Sequence, residues 1–380
     1  MELLHLEPLD VFSIRSARPF DVNGVTHADF VWPPPAWTVV GALRGALSEL
    51  LGLPAVEYGR VESDHPEYSR VVGFLGRPDG AASFCIGPPL IYDQATKAIR
   101  WPVPADVLAT PDKRRQLLRL SAMDRPPQTH CNVKETRTKV LIPPATLDSH
   151  PEKSSRLASF DQGLLMQWLE GRDTLEIAES NAGSERTDFH TEPRIGIRID
   201  PTTGTVEKGL FFLRNAVQLE VGRALVVPLL DRGTSLPWGH LRGQVARFGA
   251  DGHLVRFADL TPFSLPKLGV DTPLHRARVL CVGPIHPNDI DRLTASDKPV
   301  RVHAVAAGKL VRIGGWKLTA AKRDGSEVQY GPRTLRTYYP AGTVLYVESE
   351  GDLRELHGQN LATDPAERAS GFGFCLVGRW

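Results

Sequence analysis

The chemistry this sequence offers first is arginine set among glycines. Arg44 stands between Gly41 and Gly45 in the stretch FVWPPPAWTVVGALRGALSELLG, residues 30–52. Arg194 and Gly196 open RIGIRID, four residues after His190. Gly315 and Trp316 end a short Gly-Gly-Trp run, and Gly371, Gly373 and Gly378 alternate with Phe372 and Arg379 in the last ten residues, GFGFCLVGRW. Guanidinium forks and bare backbone amides both suit phosphate. A helix N-terminus adds free N–H groups and a positive dipole end, so a first turn carrying Gly41 and Arg44 is a candidate anion site.

These residues need elements to place them. Pro33, Pro34 and Pro35 hold the chain extended and withhold three amide donors. Thr38 is then the expected N-cap, and Val39, Val40, Leu43, Ala46, Leu47, Leu50 and Leu51 share one helical face that stops at Gly52 and Pro54. Packing alone accounts for the leucines. It does not account for two glycines inside the helix, each costing about 1 kcal/mol against Ala. Residues 3–14 alternate as a first strand that ends toward Arg15, Arg18 and Phe20. Residues 194–200 and 205–212 read as a hairpin closed at 201–204. Residues 113–120, KRRQLLRL, read as a short basic helix, and 160–171 as an amphipathic one. Further strands are expected at 83–93, 219–230, 276–282 and 341–348, with short helices at 287–294 and 365–370. Many strands with few, short helices indicate α+β rather than a doubly wound sheet.

At 380 residues two domains are expected. The net charge of +1 is uninformative, but its distribution is not. Residues 111–140 hold eight basic against three acidic residues, and 301–340 hold eight against two. Two such basic segments fit an RNA-facing side, and solvated loops fit them almost as well. The four cysteines are far apart, with neither disulfide-framework nor zinc spacing. MELLHLEPLD is no signal peptide and no apolar run reaches membrane-span length, so a reduced cytoplasmic setting is the default expectation.

Catalytic signatures are missing from the sequence. GxSxG, HExxH, a P-loop GK[ST] and the GGDD of a cyclase palm do not occur. No metal, cofactor or catalytic residue is assigned. The histidines His5, His27, His130 and His190 stand singly, and any one acting as general acid would need a partner and a cleft.

Taken in order, the PPP..T..GALR stretch (Pro33 to Arg44), the RxGIxID..TGTxxxGLFF stretch (Arg194 to Phe212), Gly314–Gly315–Trp316, PAGTVLYVE (Pro340 to Glu348) and GFGFxxxGRW resemble the RAMP superfamily of CRISPR-associated RNA-binding proteins. Within it they resemble the third-subunit family of the Cmr effector complex, the type III-B system. The resemblance implies two ferredoxin-like (RRM-like) domains facing each other across a cleft, with long insertions. The expected division is 1–210, carrying a basic insertion near 110–145, and 211–380, carrying the terminal glycine-rich loop. It implies no enzymatic activity. The implied role is to grip the 5′ tag of the CRISPR guide RNA and to bridge the large palm-domain subunit to the backbone subunit, in antiviral defence. The RNA-binding residues expected on this basis are Arg15, Arg18, Gly41, Arg44, His190, Arg194, Gly196, Gly315, Trp316, Gly371, Phe372, Gly373, Gly378 and Arg379. One departure is Leu241–Arg242–Gly243–Gln244, where the family carries a Gly-Gly pair. A metal-independent guide-RNA-processing ribonuclease of the same fold, and a pure protein scaffold, are the competing readings.

Overall fold

The structure is a computed structural model. It describes residues 1–14, 27–28, 31–60, 62–109, 116–124, 138–142, 152–153, 159–178, 187–233, 236–249, 252–269, 271–293, 299–318, 330–332 and 334–380. Arg15 and Arg18 lie outside these residues.

The first sheet grows around Glu2–Pro8, whose alternation sends Leu4 and Leu6 to one face and Leu3 to the other. Arg223–Asp231 pairs with it on one edge and Leu254–Pro262 on the other, both antiparallel. Leu90–Asp93 adds to the far edge of Arg223–Asp231. Val245–Arg247 and Ala98–Arg100 flank the sheet, and Cys85–Ile86 also pairs with Arg223–Asp231. The expected division at 210/211 therefore falls inside this unit, since strands from beyond residue 211 complete it.

The second sheet is built from Arg276–Cys281, Val300–Ala306, Val344–Ser349 and Cys375–Arg379. Helix Pro287–Leu293 follows its first strand and helix Pro365–Ala369 follows its third. Across the sheet the chain-order strands run second, third, first, fourth. The first sheet has the same order at its centre, with Leu90–Asp93, Arg223–Asp231, Glu2–Pro8 and Leu254–Pro262 in those places. There the long helix Ala36–Leu50 fills the first helical position, and only the 3-10 turn Trp238–His240 occupies the second. The fold is mixed α/β with mostly antiparallel sheets. Among the described residues the one parallel pairing joins His27–Ala28 to Leu213–Arg214.

The layers follow from which side chains face where. Helix Ala36–Leu50 packs Val39, Leu43 and Leu47 against Leu4, Leu6 and Val227. The opposite face of the first sheet, through Leu3 and Val226, meets Leu280, Val344 and Leu376 of the second. Helix Gln162–Leu169 lies in that same layer with Trp168 and Leu165. The two sheets do face each other, but apolar side chains fill the space between them.

One polar group is buried in that layer. Arg278 and Asp106 have no exposed side-chain surface and pair at 3.2 Å. Asp106 also accepts from Trp168 Nε1 at 2.9 Å and Tyr346 Oη at 2.9 Å. The Arg278 guanidinium lies 4.3 Å from the Trp168 ring centroid and donates to the Trp168 carbonyl. A pair so enclosed holds geometry more than it adds net stability.

Two local expectations are corrected. The long helix begins at Ala36, with Pro35 as N-cap, and the Thr38 amide bonds the Pro35 carbonyl. Pro35, with φ −57° and ψ 134°, takes the non-helical cap position expected for Thr38, but offers no side-chain cap. Within the segment expected as a basic helix, Gln116–Arg119 is a strand between Val107–Ala109 and Thr174–Glu176. Leu117 is buried there, and sheet pairing overrides the local helix preference.

Candidate nucleic-acid interface

The longest pairing among the described residues is a hairpin of Phe189–Ile199 with Val206–Leu219. Its turn is set by Asp200, whose Oδ1 accepts the Thr202 amide while its own amide bonds the Thr205 carbonyl. The Thr202 hydroxyl and amide hold the Asp200 carboxyl below the usual carboxylate range. Ile195, Ile197, Ile199 and Val206 are all about half exposed or more. The distal half is therefore an arm standing off the body.

The root of the arm is fixed. Phe12 pairs with Val217, and Trp32 stacks on Phe189 with ring centroids 4.3 Å apart. Arg223, just past the return strand, bridges Asp188 at 3.1 Å and Asp93 at 2.6 Å. Arg100 and Ser159 complete the set around Asp188. These buried, mutually neutralised groups tie the root to the first sheet.

Charge collects beside the root. Arg194 and Arg214 are direct cross-strand partners, a like-charged placement that disfavours the pairing. Glu192 reaches the Arg194 guanidinium at 3.4 and 3.5 Å. His253, in the turn before Leu254–Pro262, is held below the ordinary imidazole value by burial and by Arg214, with Asp10 opposing and Arg194 adding. Its Nε2 is buried and has no hydrogen-bond partner among the described residues. His190 pairs with Glu220 and stays exposed.

The expected site residues divide into two groups. His190, Arg194 and Gly196 stand together on the arm. The long helix and the terminal loop also meet, through Trp37: its ring stacks on Phe372 with centroids 4.7 Å apart and meets Tyr338 edge-on at 6.3 Å. Gly315 is exposed beside strand Val311–Ile313, whose Ile313 packs into the same core. Trp316 begins strand Trp316–Leu318, and its side chain lies outside the described residues. Gly41 is exposed on the helix, and a Cβ there would meet nothing within 4 Å.

Several residues are not presented to a ligand as expected. Arg44 is buried, and its guanidinium donates to the carbonyls of Pro78 at 3.3 Å and Gly80 at 3.1 Å. It braces the loop after helix Tyr68–Leu75. Phe372 is buried in the first core, because Trp37 and Tyr338 close over it. Gly371 has φ +75°, and a Cβ would lie 2.4 Å from the Gly87 carbonyl carbon, so its backbone freedom serves an internal crossing. Gly373 is buried against Ala362, and Gly378 against Trp168 and Leu169. Arg379 is exposed and donates to the Gly269 carbonyl at 3.3 Å. Arg214 and His253 did not stand out in the sequence; the hairpin register sets Arg214 opposite Arg194, and the charges of both arginines act on His253.

No group of three or more potential metal ligands occurs among the described residues, and none of their helices is long and apolar enough to cross a membrane. Cys85, Cys281 and Cys375 are free.

The chain matches the family described as CRISPR-associated protein (Cas_Cmr3) over residues 4–380. No curated protein matches it. A chain in the cryo-EM structure of the type III-B Cmr-beta bound to cognate target RNA is similar at 16% identity and TM-score 0.47, covering 91% of this chain and 86% of that one. The same assembly with AMPPnP, state 1, gives 16%, 0.46, 91% and 86%. A chain of the crystallised Csm3-Csm4 subcomplex of the type III-A interference complex gives 9% and 0.39, covering 93% of this chain and 94% of that one.

Proposed function

Because the chain belongs to the Cas_Cmr3 family of CRISPR-associated proteins, we propose that it is the RNA-binding, non-catalytic third subunit of a type III-B effector particle. Its partner is the guide RNA, held at the 5′ tag. Its protein neighbours are the large palm-domain subunit and the backbone subunit, and on this reading both sheets are variants of an RRM-like βαββαβ plan, the first with a 3-10 turn in place of its second helix.

The observation that carries this reading is the arm. A two-stranded projection with half-exposed isoleucines and the partly exposed Arg194 is what a single strand needs, an apolar surface for bases and a cation for phosphate. Its root is rigid, so the contact is preorganised. Because Arg44 and Phe372 are buried, this reading centres the interface on the arm and not on the first helix.

The test is RNA binding by the full chain, before and after residues 195–213 are replaced by a tight Asn-Gly turn that closes between the cross-strand partners Arg194 and Arg214. Salt-sensitive binding to tag-bearing guide RNA that is lost with the arm supports the reading. Undiminished binding without the arm overturns it.

A ribonuclease reading has one foothold, the exposed His190–Glu220 pair. Incubation with repeat RNA in the presence of a chelator decides it. A non-catalytic subunit leaves the RNA intact; cleavage that His190→Ala abolishes would establish the ribonuclease instead.

A further inference from the structure

We infer that Cys281 and Cys375 are a latent redox pair, which hydrogen peroxide converts into a disulfide joining the first and last strands of the second sheet. This reaction belongs to the second sheet alone and is independent of the RNA-binding reading.

Cys281 and Cys375 are direct partners where Arg276–Cys281 pairs with Cys375–Arg379. The backbone makes them a non-hydrogen-bonded pair. The Cys281 amide turns away to the Thr343 carbonyl at 2.8 Å, and the Cys375 amide turns the other way, to the Gln359 carbonyl at 3.0 Å. In such pairs the side chains stand closest, with Cα atoms about 4.5 Å apart, inside the range of about 4.4–6.8 Å that a disulfide spans. Both thiols enter the same apolar layer, beside the adjoining Val279–Val377 pair. Both are free and fully enclosed. Burial holds Cys375 well above the ordinary thiol value, and the neighbouring Cys281 raises it further, as expected of two close sulfurs.

The closed fold keeps the pair reduced. Burial pushes the Cys281 thiol up to about 12, so little thiolate is present to react. Access runs through residues 353–359, a strap along the outer edge of Cys375–Arg379, which is the last strand of its sheet. The Cys375 thiol donates to the Leu356 carbonyl at 3.0 Å, the Val377 amide to His357 Nδ1 at 3.1 Å and the Gly358 amide to the Cys375 carbonyl at 2.8 Å. These are single bonds to a short 3-10 turn and its exit, so the strap lifts at a lower cost than unfolding the sheet. Once it lifts, Cys375 on the edge strand meets peroxide first. Its thiolate attacks one peroxide oxygen, breaking the O–O bond and leaving a sulfenic acid and one water. The Cys281 sulfur then displaces the hydroxyl from the Cys375 sulfur, giving the disulfide and a second water. Two thiols and one hydrogen peroxide become one disulfide and two waters, with two electrons passing to the peroxide. The new bond removes the S–H donor that holds the Leu356 carbonyl.

The experiment uses the full chain carrying Cys85→Ser and Cys131→Ser, which leaves two of the four cysteines. The folded protein is treated with hydrogen peroxide beside added glutathione. Remaining thiols are capped with N-ethylmaleimide, and the intact mass and the non-reduced peptides are read. The expected result is the loss of two hydrogens per chain, a peptide joining Cys281 to Cys375, and reversal by dithiothreitol. His357→Ala removes the acceptor of the Val377 amide and should speed the cross-link about tenfold by loosening the strap. Cys281→Ser should halt the reaction at an oxidised Cys375 that forms no bond within the chain. In the oxidised chain the amides of 353–359 should exchange faster with solvent. Melting temperatures report folding, and peptide mapping of the wild-type chain gives the same reading where a variant is unstable. Two capped thiols remaining after all the glutathione is oxidised overturn the pair. A bond that forms only in denaturant overturns it as well, as does oxidation of the wild-type chain that joins either cysteine to Cys85 or Cys131 instead.

Discussion

Trp37 stacks on Phe372 with ring centroids 4.7 Å apart and planes 32° apart. The pair joins the second residue of the long helix to the loop that precedes the last strand. The two stretches with the strongest glycine patterns therefore touch, through apolar rings instead of through an open cradle of amides. The proposed RNA interface lies one step away, where Trp32 of the Pro-rich lead-in stacks on Phe189 at the arm's root.

Gly41 is a glycine of that helix the fold does not use, since its Cβ position is open to solvent. Gly41→Ala should stabilise the isolated chain by about 0.5–1 kcal/mol, read as a higher denaturation midpoint. If a partner or RNA backbone approaches the helix there, the same variant will assemble less well despite its greater stability.

Arg44 should behave as a structural residue. Its two carbonyl contacts lie in a buried setting, so Arg44→Met should cost about 1.5–3 kcal/mol of stability. Measured below the variant's melting temperature, its RNA affinity and salt slope should match wild type. A reduced slope would return Arg44 to the interface.

The buried Arg278–Asp106 pair offers a sharper stability test. Asp106→Asn leaves the guanidinium enclosed without its counter-charge and should cost about 3–5 kcal/mol. Arg278→Met in the same background should recover much of the loss. Denaturant midpoints for the two single variants and the double variant give the coupling directly.

Acid should loosen the fold near neutrality. His5, His253 and His357 are all held below the ordinary value of 6.5, in each case first by burial. The unfolded chain takes up these protons at its higher pKa, so it binds more protons than the fold just below 6.5. Stability is full above that value and falls as pH drops from about 7 towards 5. Asp352, held low by Arg354, acts only in more acid solution. A melting temperature that stays flat between pH 7 and 5 would contradict this.

The sequence made the elements legible where one period dominated. The leucines of 39–51, the alternation of RIGIRID and the strand at 276–281 are each read from a few residues. It did not make the register legible. Ile199 pairs with Val206, but Ile197 pairs with Phe211, a three-residue slip that no count outward from the turn reveals. That slip is what sets Arg214 opposite Arg194. Nor does any local pattern show that Arg44 turns toward the Pro78 and Gly80 carbonyls, because the loop that captures it lies more than thirty residues on. The Gln116–Arg119 strand was hidden for the related reason that its partners come from 107–109 and 174–176.

The most direct measurement is photocrosslinking of the assembled particle carrying its guide RNA, with adducts located by mass spectrometry. Adducts from the tag are expected on the arm, at peptides from residues 189–219. Adducts on this subunit confined to other surfaces, with the 189–219 arm unlabelled, would contradict an RNA interface centred on the arm.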